Sequence, residues 1–168
     1  MRNIFYFSLV TILILLLANC TAQQNELPPA NTLSEDQLAL DSLANFLESL
    51  HNGKYDEAAR FYGGTYETMI DQNPAVNPND HAALLRNACT LNGMQCLQVK
   101  SVSLEKMVSD TEFVFKVDFL KDGGTLFELG PCCGGDETNS PPQSLFYLRV
   151  LKLDINRFSV LDTPPYAP

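Results

Sequence analysis

An α+β domain, helices first and an antiparallel sheet after them, follows from a change of rhythm along the chain and from its punctuation. Between Ser34 and Leu91 apolar residues recur at helical spacing, and from Leu97 onward they alternate. Asn-Gly, Gly-Gly and Asp-Gly pairs stand at the joints between these runs. Helices in one block and strands in the next place the helices on one face of the sheet.

The first helix opens at Ser34. Ser34 stands at the cap and Gln37 three residues on, the capping-box spacing, while Glu35 and Asp36 suit a helix N-terminus. Leu40, Leu43, Phe46, Leu47 and Leu50 then mark one apolar face, and Asn52-Gly53 supplies a left-handed stop. A second short helix is expected in KYDEAARFY, ended by Gly63-Gly64, and TYETMI adds a turn or two. The stretch DQNPAVNPND has two Asn-Pro steps and reads as a loop. It lacks the spaced acidic ladder, central Gly and closing Glu of a calcium loop, so Asx turns and a helix cap at Asn79 or Asp80 explain its composition. A further helix from His81 to about Leu91 turns Leu84, Leu85, Ala88 and Leu91 inward and stops at Asn92-Gly93.

In TEFVFKVDFL, Phe113, Phe115, Val117 and Phe119 share one face and Glu112, Lys116 and Asp118 the other, the pattern of a strand buried on one side. KDGG at 121–124 makes a hairpin turn, and TLFEL returns from it as a third strand. After a long loop from Gly130 to Gln143, SLFYLRVLKL is apolar on both faces, which predicts a central strand. DIN turns it into RFSVLD, and TPPYAP ends the chain.

Ahead of the domain, one Arg precedes an uncharged apolar run from Ile4 to Ala18, the pattern of a secretory leader. The run is shorter than the roughly 20 apolar residues of a spanning helix. Leu17-Ala18-Asn19-Cys20 resembles the lipobox of bacterial lipoproteins, with Asn19 where that family usually has Gly, Ala or Ser. The resemblance implies a lipid on Cys20 and anchoring on the extracytoplasmic side, at the cell membrane or outer membrane. Cleavage after Ala22 is the alternative, and it would yield a secreted protein. The expected organisation is a signal peptide over 1–19, a polar tether with a Pro-Pro step over 20–33, and one α+β domain over 34–168.

The chain carries a formal charge of −9. Loss of Arg2 with the leader leaves ten basic residues against twenty acidic ones, so nucleic acid and electrostatic docking on anionic lipid are disfavoured. The expected membrane contact comes through the lipid, and the small molecule or envelope protein that the domain meets stays open.

LANFLESLHNGKYDEAARFYGG, followed by strands with aromatic faces, resembles the nuclear transport factor 2-like superfamily. The resemblance implies helices packed on a bent antiparallel sheet in a cone with a pocket. That fold hosts isomerases, dehydratases, polyketide cyclases and non-catalytic binders. Its enzymes use an Asp or His base opposite a Tyr or Asp, and here Asp118, Arg149, Tyr62, Tyr66 and Tyr147 are the available types. Asp118 lies opposite the apolar face of its strand, Arg149 shares a face with Leu145, Tyr147 and Leu151, and the tyrosines suit the core. No catalytic motif, cofactor motif or metal-ligand spacing is present in the sequence. A binding or structural role at the envelope is therefore the first expectation, and a pocket isomerase or dehydratase the second. Asp118 or Arg149 pointing into a deep pocket would favour the second, and a pocket filled by Phe113, Phe115, Phe119 and Phe146 would oppose it. A third reading makes GPCCGGD and the terminal DTPPYAP a protein-contact surface.

Besides Cys20 the cysteines are Cys89, Cys96, Cys132 and Cys133, an even number in an exported domain, which predicts disulfides. In a simple meander Cys96 precedes the first long strand and Cys132 follows the third, at opposite ends of a sheet and roughly 26 Å apart. Cys89 reaches Cys96 more easily, across the Asn92-Gly93 turn. For Cys132 and Cys133 a vicinal disulfide, a pair of thiols and crossed bridges to the helix cysteines all remain. Adjacent cysteines are poorly spaced to chelate one ion, so a zinc site is not expected.

Overall fold

Helical periodicity over the first block yields four helices in a computed structural model, which describes residues 33–130, 138 and 141–167. The expected leader, the tether, Cys20 and the Cys132-Cys133 pair lie outside the described residues. Helix α1 runs over Glu35–His51 and buries Ala39, Leu43, Phe46, Leu47 and Leu50. Leu40 is only half-buried at the edge of this stripe, where Ala39 replaces it as the innermost residue. Ser34 occupies the cap position without a side-chain capping bond, and the capping box does not close. Gln37 instead donates to Asp41 Oδ1 one turn ahead, at 2.8 Å. The stop is as read: Gly53 has φ +69°, a conformation that glycine adopts without a Cβ clash.

Helices α2 (Tyr55–Phe61), α3 (Glu67–Gln72) and α4 (His81–Thr90) follow. Asp80 caps α4 by accepting from the Ala83 amide at 3.0 Å. Leu91, expected inside, is 74 % exposed, because α4 ends at Thr90 and the next residue leaves the helical path. The intervening Asn-rich loop is held by buried Asn73, which donates to the Met69 carbonyl and to Asn92 Oδ1 and accepts from Asn87 Nδ2. The asparagines thus satisfy one another and the backbone.

Strands β1 (Gln98–Met107), β2 (Glu112–Leu120), β3 (Phe146–Asp154) and β4 (Arg157–Val160) form one antiparallel sheet in the order β1-β2-β3-β4, curved and unclosed. Irregularities in β1 at Val99/Ser101 and Leu104/Lys106 bend this edge strand. TLFEL does not form the expected third strand. β3 pairs with Glu112–Val117 of β2, leaving the end of that edge to a bridge between Leu120 and Leu126 and a bond from the Phe127 amide to the Phe119 carbonyl. β3 lies inside the sheet, but its second face is open: Tyr147 and Leu153 are about half exposed.

Residues Leu33–Pro168 make one compact unit. Its core lies between α1 and the inner face of β2 and β3, where Phe113, Phe115, Val117, Phe119, Leu148 and Val150 meet the apolar stripe of α1. No helix among the described residues is long and apolar enough to cross a membrane.

Candidate functional site

The five residues singled out from the sequence divide between two sides of the sheet. Tyr62 and Tyr66 lie on the helix side, where α2 passes into α3. The Tyr62 ring stacks on Phe46 with centroids 5.6 Å apart, and its hydroxyl donates to the Thr65 carbonyl at 2.9 Å. Tyr66 meets Tyr62 edge-on at 5.0 Å and stacks on His81 at 4.0 Å. Gly64 admits this arrangement, since a Cβ there would collide with the Leu161 carbonyl and the Tyr62 hydroxyl. The hydroxyls of Tyr66 and Tyr166 are buried without a hydrogen-bond partner among the described residues. Burial pushes the phenol of Tyr62 up, with Tyr66, Tyr166 and Asp162 adding to the effect, and pushes Tyr66 up to about 12. Burial also raises Tyr166. At neutral pH these phenols are protonated and are not bases; of the three, only the Tyr62 hydroxyl donates, to the Thr65 carbonyl.

Asp118, Tyr147 and Arg149 lie on the opposite, open face. Arg149 forms a fork with Asp162, Nε to Oδ2 at 2.9 Å and Nη2 to Oδ1 at 2.8 Å, and its backbone amide also donates to Asp162 Oδ2. The hydrogen bond and charge of Asp162 raise the guanidinium further, and Glu112 Oε1 stands 3.9 Å from Nη1. Asp118 accepts from Ser101 Oγ at 2.6 Å on the neighbouring strand, and Lys116 pairs with Glu105 at 3.6 Å. Cross-strand pairs of this kind are contacts that stabilise a sheet face. A shallow groove of about 640 Å³ runs past Glu105, Lys106, Val114, Tyr147 and Arg149.

Between these two groups, on the inner face of the sheet, the space is taken by aromatic rings. Phe113, Phe115, Phe119 and Phe146 are at most 6 % exposed. Phe113 packs on Phe158 at 6.0 Å and Phe146 on both Phe119 and Phe127, at 5.7 and 5.8 Å. Neither Asp118 nor Arg149 enters this space: Asp118 faces outward beside Ser101, and Arg149 is held in its pair with Asp162. Sequence reasoning missed Asp162 and Glu112 as partners of Arg149 and His81 as the partner of Tyr66. The basic residue on β3 pointed to a need for an acid, but the strand register decides which acid meets it.

Cys89 and Cys96 form a disulfide with Cα atoms 5.5 Å apart, across the turn that follows α4. Closing so short a loop constrains the unfolded chain by about 2.5 kcal/mol. Residues of that loop hold the C-terminal segment: the Gln95 amide donates to the Pro165 carbonyl and the Ala167 amide to the Gly93 carbonyl, each at 2.9 Å. DTPPYAP is therefore docked through Pro164, which is buried, and Tyr166, which packs against the core. Its expected companion, GPCCGGD, lies outside the described residues apart from Gly130. Among the described residues no group of three or more His, Cys, Asp or Glu side chains is placed to hold a metal ion. No protein-family model, curated protein or solved structure matches the chain.

Proposed function

We propose that this chain is an exported protein, held on the extracytoplasmic side of a membrane through a lipid on Cys20, whose folded unit has a binding or structural role in the cell envelope. The filled interior carries the functional half of this reading. A substrate pocket of the isomerase or dehydratase kind requires an open volume with a polar group aimed into it, and four phenylalanines occupy that volume here. In the same reading the curved sheet and its helices are a cone of the nuclear transport factor 2 type whose pocket has been packed shut. The open face, with its paired charges and exposed Tyr147, is then the surface through which a partner is met.

The anchoring half is supported by the apolar run from Ile4 to Ala18, by Leu17-Ala18-Asn19-Cys20 and by the polar stretch after it. A disulfide between Cys89 and Cys96 suits an oxidising compartment. The test is the intact mass of the protein extracted from membranes of its host, with thiols alkylated before reduction. A mass that starts at Cys20 and includes acyl chains is the expected result, whereas a soluble product beginning after Ala22 would remove the anchor. The same spectrum counts free thiols and so separates a bridged Cys132-Cys133 pair from an unbridged one.

A further inference from the structure

One end of the sheet carries exposed apolar side chains where turns ordinarily carry polar ones. Met107 and Val108 lead into the β1–β2 turn and are 53 % and 55 % exposed, while Leu153 and Ile155 at the β3–β4 turn are 49 % and 79 % exposed. Both turns lie at the same end, because Glu112 stands opposite Leu151 and the Lys152 amide donates to the Thr111 carbonyl at 2.7 Å. The start of α1 is fastened there too: the Lys152 ammonium is paired with the Glu35 carboxylate, two residues after Leu33, itself 55 % exposed. Five of the nine large exposed hydrophobics among the described residues are thus gathered where the folded unit receives the chain from residues 21–32. Scattered exposed hydrophobics need no explanation, but a cluster marks a contact.

From this placement we infer that the β1–β2 and β3–β4 turns are a lipid-facing end, which lays Ile155, Leu153, Met107, Val108 and Leu33 into the interfacial zone of the bilayer. The inference rests on the reading of Cys20 as the anchor, since that reading puts the membrane at the far end of residues 21–32. These twelve residues join the folded unit at Leu33, so the end that carries Leu33 is the one nearest the anchor along the chain. Charge supports apolar insertion over electrostatic docking. Asp36, Asp110 and Asp154 stand exposed near the apolar tips beside Lys106 and Arg157, and the chain as a whole is acidic. Anionic headgroups give such an end no attraction, whereas uncharged side chains enter the boundary of headgroups and acyl chains without it.

The sequence contains no Trp, so a single introduced Trp reports on one place. Ile155→Trp and, as a control beyond the opposite end of β1, Leu91→Trp are made in the chain from residue 20 onward, which contains the whole compact unit. Cys20→Ser and an N-terminal hexahistidine tag replace the lipid, and a nickel-chelating lipid holds the protein on phosphatidylcholine vesicles. The emission of Ile155→Trp shifts to the blue, is quenched by brominated acyl chains and is unchanged by salt, while Leu91→Trp keeps its water-exposed emission. Adding Leu153→Asp lowers the inserted fraction about tenfold. An Ile155→Trp emission that stays at its water value on tethered vesicles overturns the inference, as do equal shifts of both probes. A blue shift without lipid that grows with protein concentration overturns it as well, because the end is then a contact between copies. Tethering by nickel makes the result independent of Cys20: insertion here with no acyl mass on the native protein would sink the anchor and keep the lipid-facing end.

Discussion

The two faces of β2 and β3 are made from alternate residues of the same strands, and they hold themselves together by different means. On the inner face Phe113, Phe115, Val117, Phe119, Phe146, Leu148 and Val150 are close to fully buried, and their stabilisation comes from volume filled and water excluded. On the outer face Glu112, Lys116 and Arg149 meet partners across strands at side-chain exposures of 28 to 49 %. There each pair competes with solvent, and a surface pair contributes little. A close-packed interior tolerates little change, whereas residues of the open face can change at small cost.

The packing of the inner face is tested most directly at Phe115. Phe115→Ala leaves a cavity among rings and should lower stability by about 3–5 kcal/mol in urea unfolding. A loss under about 1 kcal/mol would mean that the interior is loosely packed, and would reopen the pocket reading. Next in size is the bridge that fastens α4 to the sheet. Replacing Cys89 and Cys96 together by Ser should cost about 2–3 kcal/mol, with faster hydrogen exchange at Ala167, whose amide bonds to the bridged loop.

Alkali tests the buried phenols. Their folded pKa values lie above the usual value near 10, so the folded state holds protons that the unfolded state has lost. Their contribution is therefore complete below about pH 10 and falls as pH rises through the folded values, so the urea midpoint should drop between about pH 10 and 12. Tyr66→Phe removes a buried hydroxyl without a partner among the described residues; it should leave neutral-pH stability unchanged or raised and flatten the alkaline fall. The smallest effects belong to the open face. Asp162→Asn should cost about 1 kcal/mol or less, since Arg149 remains half in water, and Lys116→Ala about 0.5 kcal/mol or less. A larger loss at Asp162 would show that the Arg149 fork organises the face instead of decorating it.

The succession of helices and strands apart from TLFEL, the inward face of β2, the turns at Gly53 and Gly93, and a cap at Asn79 or Asp80, of which the structure uses Asp80, were legible in the order of residues. Each depends on a periodicity or a glycine within a few residues of the feature it specifies. The nearness of Cys89 and Cys96 is of the same kind, two cysteines seven residues apart across one turn. Long-range pairing settles that β3 displaces TLFEL from most of the edge of β2, that Arg149 meets Asp162, and that Tyr62 and Tyr66 lie across the sheet from Asp118 and Tyr147. Leu91 shows the boundary between the two kinds of information: its spacing fits the apolar face of α4, yet the helix ends one residue before it. Periodicity states which residues seek burial, but register and edge pairing are settled by competition among segments far apart in the chain, and no local pattern records the winner.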